Sequence, residues 1–301
     1  MIRIPTRSPS PRADARAQRR GGVRWWVVLA FLGYAAWYWL SHQQEAAFTG
    51  RSQLIDTSHA QEAQLGLQAW DEILASEPVL RGGPEAARVD AITRRLVARA
   101  PELERLLAEA RGVAPSTAWD AFAWESAVID SPQANAFCLP GGKLAVYTGL
   151  LPVAGNDDAL AVVMGHEVAH ALLRHGGERM AQQKLVRMGT LAGAVAVGEM
   201  EPTQQAAVMA ALGAGSRYGV LLPFSRAHES EADALGLLLA AAACYDPREA
   251  PGLWERMGAG RAGGAPPAFA SSHPGAGERI ARLQALMPDA LAVRERFCGA
   301  R

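Results

Sequence analysis

The chain has 301 residues, half of them apolar, a fifth charged and 7% aromatic, with a formal net charge of +0. These values exclude a disordered chain, a collagen-like fibre and a disulfide-rich mini-protein, and they leave room for one or two domains with a real core. They also exclude the net basic footprint of a general nucleic-acid binder, so no nucleic-acid partner is expected.

The neutral total hides an asymmetry. Residues 1–24 hold seven Arg and one acid, Asp14, which leaves 23 basic against 29 acidic residues in the remainder. After this leader, no charge appears from Trp25 until Glu45. As a helix that run spans roughly 30 Å, the hydrocarbon thickness of a bilayer. Trp25 and Trp26 at one end, and Trp37, Tyr38 and Trp39 at the other, fall where interfacial aromatic belts belong. Bulky residues replace the small-residue cleavage site of a signal peptide, so an uncleaved anchor over 25–44 is expected. By the positive-inside rule, residues 1–24 stay cytoplasmic and residues 45–301 cross. A bacterial inner membrane with a periplasmic domain fits this pattern, and an Arg-rich, acid-poor mitochondrial presequence is the alternative.

The remainder reads as one predominantly helical α+β domain. Ser58 and Gln61 suit a capping box, with Ala63, Leu67, Trp70 and Leu74 on one stripe. A second helix follows Pro84, with Val89, Ile92 and Leu96 in register. From Trp119 to Ile129 the text is β-like, and Pro140-Gly141-Gly142 marks a turn between two short strands. Asn156 caps an apolar helix through Leu160, Val163, Val168 and Leu172. Residues 186–224, interrupted at Glu199, Glu201 and Pro202, read as a buried helical hairpin. Residues 258–270 read as a loop, before a last helix with Ile280, Leu283 and Met287. Cys138, Cys244 and Cys298 form no CxxC, and whether a pair bridges stays open.

The chemistry is concentrated in His166-Glu167-Val168-Ala169-His170. On a helix the two histidines share a face and can reach one tetrahedral metal, with Glu167 placed to take a proton from water. The surrounding helix is apolar, so these polar groups would be buried without a cation to answer them, at about 1–3 kcal/mol each. A catalytic zinc needs a third protein ligand and an open position. Ser225-Arg226-Ala227-His228-Glu229-Ser230-Glu231-Ala232-Asp233 supplies candidates, with Ser225 as a helix cap. Glu229 and Glu231 point about 200° apart on a helix, so only one can face the metal. Glu229 is the preferred ligand because Asp233, one turn on, can orient a ligating His. His228 is a candidate only if the helix is displaced.

These blocks, with Ser272-His273-Pro274 and Arg279, resemble the M48 family of metallopeptidases over roughly residues 49–290. Thr49-Gly50-Arg51-Ser52-Gln53-Leu54, Asn135-Ala136-Phe137 with Pro140-Gly141-Gly142, and Gly149-Leu150-Leu151 are similar to its compact, single-anchor branch. The resemblance implies a gluzincin-like zincin domain with a small sheet beside the HExxH helix. It implies one Zn2+ per chain on His166, His170 and Glu229, with Glu167 as the base. It also implies that His273 acts on the oxyanion or closes over the metal as a lid, with Arg279 beside it as either a catalytic group or an ion-pair partner. The strand Lys143–Thr148, including Lys143, Leu144, Ala145 and Val146, matches the family's substrate-binding edge, approached by Asn135, Ala136 and Phe137. The expected function is a membrane-anchored zinc endopeptidase acting on unfolded or misfolded polypeptide. Two alternatives stand beside it, a zinc-stabilised chaperone-like binder and a zinc amidase with a non-protein substrate.

Overall fold

The computed structural model describes residues 22–115, 122–216, 222–259, 269, 273 and 276–299. Most of the Arg-rich leader and of the expected loop at 258–270 lie outside these residues, as do Ser272 and Pro274. The apolar run forms helix α1 (Trp25–Ser41), and an antiparallel ribbon follows, β1 (Gln43–Glu45) paired with β2 (Ser52–Leu54). Helix α2 (His59–Ser76) starts on the expected capping box: the Gln61 N–H donates to the Ser58 hydroxyl, and the Ser58 N–H donates to the Gln61 side chain. After β3 (Val79–Leu80), helix α3 (Pro84–Arg111) begins with Pro84, whose missing N–H has no intrahelical partner to lose, and ends at Gly112 in the left-handed region.

A four-stranded sheet is built in the order β3-β4-β6-β5, from β4 (Glu125–Ile129), β5 (Ala136–Leu139) and β6 (Lys143–Tyr147). β4 runs parallel to β6, and β5 runs antiparallel to it, with Ala136 opposite Val146 and Leu139 opposite Lys143. The expected Pro140-Gly141-Gly142 turn joins the last two, and φ values of +82° and +88° account for both glycines. This order corrects one expectation. Lys143–Val146 is an interior strand whose backbone is paired on both sides. Leu144, Ala145 and Val146 are fully buried, and Lys143 is tied to Glu125 and to the Ala123 carbonyl. The open edge beside the HExxH helix belongs to β5.

After α4 (Leu150–Ala154), helix α5 (Asp157–Leu172) starts where the Asn156 side chain accepts from the Ala159 N–H. Nearly every side chain of α5 is buried, because the sheet, α3, α8 (Leu222–Ala242) and α9 (Glu249–Ala259) surround it. Its closest partner is α8. A Cβ on Gly236 would lie 2.6 Å from the His166 nitrogen, and one on Gly165 would lie 2.8 Å from the Gly236 carbonyl. Two glycines therefore let the backbones touch at the metal-binding turn. α8 begins at Leu222, so Ser225 falls inside the helix and not at the expected cap position.

The expected hairpin at 186–224 forms as α6 (His175–Val197) and α7 (Pro202–Ser216), broken around Glu199–Pro202, but it is not buried. Met188, Leu191, Val195 and Leu212 are exposed on it, and α1 lies along α6, with Phe31 over Gly189 and Arg24 paired to Glu199 at 2.6 Å. Over the expected 25–44 anchor the helix itself is shorter. Helix α1 has 17 residues, about 25 Å of rise, and residues 43–45 are already strand. Among the described residues no helix is long and apolar enough to cross a membrane. The last helix, α10 (Ala276–Cys298), is joined to the end of α8 by a Cys244–Cys298 disulfide, while Cys138 is free.

Candidate metal centre

Positions i and i+4 of α5 place His166 and His170 side by side, their Nε2 atoms 3.1 Å apart. The α8 turn brings Glu229 across the glycine contact, one carboxylate oxygen 3.4 Å from His166 Nε2 and the other 3.4 Å from His170 Nε2. His273 Nδ1 completes the group, 3.3 Å from His166 Nε2 and 2.9 Å from Glu229. One donor atom from each of these four residues lies within 4.8 Å of the others. Four donors on zinc bonds of about 2.0–2.1 Å would stand about 3.3 Å apart, so the observed spacing fits a tetrahedral ion.

The electrostatics also fit. Burial would raise the Glu229 carboxylate, but hydrogen bonds from His166, His170 and His273 hold it far below the usual range. Burial and the Arg279 charge push His166 down, yet hydrogen bonds to Asp233 and Glu229 outweigh them and lift it to about 9. Burial holds His170 well below its ordinary value, helped by the neighbouring imidazoles of His166 and His175. Converging imidazole nitrogens beside the ionised Glu229 carboxylate suit a divalent cation. Glu167 adds a further sign: its Oε1 is buried with no hydrogen-bond partner, 3.6 Å from His273 Nε2, and burial raises its pKa.

The surrounding shell holds these ligands in place. Asp233 Oδ1 stands 3.1 Å from His166 Nδ1, the orienting contact expected of it. Arg279 is almost fully buried, donates to Asp233 at 2.7 Å and to Glu229 at 3.2 Å, and lies over the Trp254 ring at 3.6 Å. Its contacts are those of an ion-pair partner that fixes two carboxylates. The His273 ring stacks on Phe269 at 4.4 Å, and the Phe269 N–H donates to the Ala134 carbonyl, one residue before Asn135. Ala136 is buried, while Asn135 and Phe137 are half-buried, and Phe137 packs edge-on against Tyr147.

Glu231 faces away from this group, as the angular argument requires. It accepts from Arg51 Nε at 2.8 Å and from the Thr49 hydroxyl, and it lies 3.1 Å from His175 Nε2. His228 is 2.9 Å from Glu178 and stacked on His175 at 4.3 Å, outside the metal group. Burial pushes His175 down to about 4, and both carboxylates sit near 2. In each carboxylate burial acts upward and is outweighed, by His228 and Arg51 at Glu178 and by His175, Thr49 and Arg51 at Glu231. Sequence reasoning did not find this second cluster or the Gly165–Gly236 contact. The available signals were two further histidines beside the motif blocks and a glycine inside each of two strong helices.

Residues 97–287 match Peptidase family M48. Over 292 residues the chain is 32% identical to the mitochondrial metalloendopeptidase OMA1 of Schizosaccharomyces pombe, covering 95% of this chain and 77% of that protein. It is 31% identical over 284 residues to the OMA1 metalloendopeptidase of Danio rerio, covering 91% of this chain and 57% of the relative. The beta-barrel assembly-enhancing protease of Escherichia coli matches at 29% identity over 159 residues, 51% of this chain and 32% of that protein. The family match spans the helix with both histidines and the turn with Glu229, and the donor spacing agrees with it independently. The chain therefore belongs to peptidase family M48, and it is a zinc metalloendopeptidase.

Proposed function

We propose that the protein is a membrane-anchored endopeptidase that cuts unfolded or damaged polypeptides on the far side of a bacterial inner membrane. The observation that carries the catalytic part is Glu167, whose unpartnered buried oxygen faces the metal group. A zinc-stabilised binder would have no use for an unsatisfied carboxylate at that point, nor for a raised pKa on it. His166, His170 and Glu229 would hold the ion, which supplies a Lewis acid for the scissile carbonyl and lowers the pKa of water. Glu167 takes the proton of the attacking water and delivers it to the leaving amine nitrogen. Arg279 and Asp233 keep Glu229 and His166 aimed.

An extended substrate backbone adds to the free edge of β5, at Asn135–Leu139, in place of the interior Lys143–Val146. That geometry favours a polypeptide over a small amide. His273 occupies the fourth donor position and hangs from Phe269, which is hydrogen-bonded to the residue preceding that edge. It acts as a lid, and substrate arriving on β5 releases it. The anchoring part rests on α1, which follows the Arg-rich leader in sequence, and on the exposed apolar side chains of α6, which together present an unsatisfied apolar surface. The Cys244–Cys298 bridge suits an oxidising compartment, as does the mitochondrial alternative. The test is turnover of an unfolded protein by the detergent-purified full chain, with and without chelator. His273→Ala should raise the rate at saturating zinc, and a rate lowered a hundredfold would make His273 an oxyanion donor instead.

A further inference from the structure

Zinc takes the Nε2 lone pair of His170 only if that ring carries its proton on Nδ1, and Nδ1 points away from the donor group. It meets the Nδ1 of His175 at 2.8 Å. Two ring nitrogens at that distance share one proton, so His170 Nδ1–H donates and His175 Nδ1 accepts. The His175 proton then lies on Nε2, which meets Glu231 Oε2 at 3.1 Å. Glu231 is fixed from behind by the Arg51 guanidinium and the Thr49 hydroxyl. Every donor in this line has one acceptor, and only one tautomer of each ring satisfies it.

We propose that His175 and Glu231 are positioning residues for the metal, a two-member relay that holds His170 in its Nε2-ligating tautomer and orientation. His166 has its own carboxylate, Asp233, in direct contact at 3.1 Å. Among the described residues no carboxylate meets His170 Nδ1, which reaches one through a second imidazole. The placement of His175 depends on Arg174, whose φ of 56° turns the chain out of α5 into α6 and whose guanidinium is clamped by Glu62 at 2.8 Å. Arg51 and Thr49 belong to the turn between β1 and β2, so the relay ties the segment just after α1 to the ligand. Removing an outer partner of a metal-binding His typically costs 10–100-fold in metal affinity.

This inference rests on the zinc reading, and its test separates the two. Zinc affinity is measured on the full chain by chelator competition, alongside the visible spectrum of the cobalt-loaded protein. Glu231→Gln and His175→Leu should each bind zinc 10–100-fold more weakly and alter the cobalt spectrum. His175→Gln, which can accept from His170 and donate to Glu231, should recover most of the affinity. Affinity and spectrum unchanged in Glu231→Gln and His175→Leu would overturn the relay while leaving the zinc centre standing. A parent chain that binds no zinc would overturn both. Nitrogen-15 histidine NMR of the zinc-loaded parent needs no variant: the His175 proton should sit on Nε2, and a proton on Nδ1 would contradict the relay even if a variant failed to fold.

Discussion

Two apolar regions of similar appearance in the sequence behave differently in the fold. α5 carries its catalytic triplet of polar residues inside a helix buried on all sides. Both His166 ring nitrogens and His170 Nε2 are answered by carboxylates across the contact with α8, while Glu167 Oε1 has no partner. α6 and α7 are richer in Ala and Gly, yet Met188, Leu191, Val195 and Leu212 stay exposed, and α1 joins them with Trp25, Trp26, Leu29 and Trp37 exposed. The difference is what each helix has to pack against. α5 lies between a sheet and three helices, and glycines allow the closest approach. Beyond the start of α6, which rests on β2 and the end of α5, the second region is covered mainly by its own members. Apolarity by itself therefore says that a helix must be covered, and the neighbours decide whether protein or another phase does so.

The comparison breaks most easily at the glycine contact. Gly236→Val would drive a side chain into the His166 backbone, where no flexible group can yield. A loss of about 3 kcal/mol in urea unfolding is expected, with loss of zinc, because α8 can no longer bring Glu229 to the histidines. Next comes the ligand pair. Glu229→Ala should abolish zinc binding at any accessible concentration, whereas Glu231→Ala should still fill to about one zinc per chain at saturation. Equal loss in both variants, read by metal analysis, would sink the assignment. Smaller again is an acid effect. Glu178, held near 2 against an ordinary carboxylate value of 4.5, contributes stability that is complete above about pH 4.5 and is lost as pH falls toward 2. Unfolding midpoints followed across that window should fall in the parent and change less in Glu178→Gln. The smallest effect on the domain belongs to the outer helices. Leu191→Glu should shift stability by no more than about 0.5 kcal/mol, yet it should reduce sedimentation with anionic vesicles. Unchanged vesicle binding would mean that this face meets protein and not lipid.

Much of the centre was legible because it obeys short-range geometry. His166, Glu167 and His170 follow from helical periodicity; the angle between Glu229 and Glu231 allows only one at the metal, and Asp233 one turn on selects Glu229. The Ser58 box, the Asn156 cap and the Gly141-Gly142 turn are local chemistry and appear as expected. What was not legible depends on partners distant in sequence. Whether Lys143–Val146 lies at an edge or in the interior is decided by β4 and β5, and no alternation within the strand reveals it. The His175–Glu231 contact spans 56 residues and the Arg51–Glu231 contact 180, so neither leaves a spacing to read. Composition reports apolarity and not coverage, so it does not reveal that Met188, Leu191, Val195 and Leu212 of the hairpin are exposed.

The central claim is that Glu167 acts as the base in a zinc centre that can assemble without it. Glu167→Gln keeps the shape and removes the proton acceptor, and Glu167 is not among the metal donors. The purified full-length variant should bind one zinc with the parent's affinity and cut an unfolded protein at least a hundredfold more slowly. Turnover at the parent's rate with zinc in place would contradict the account.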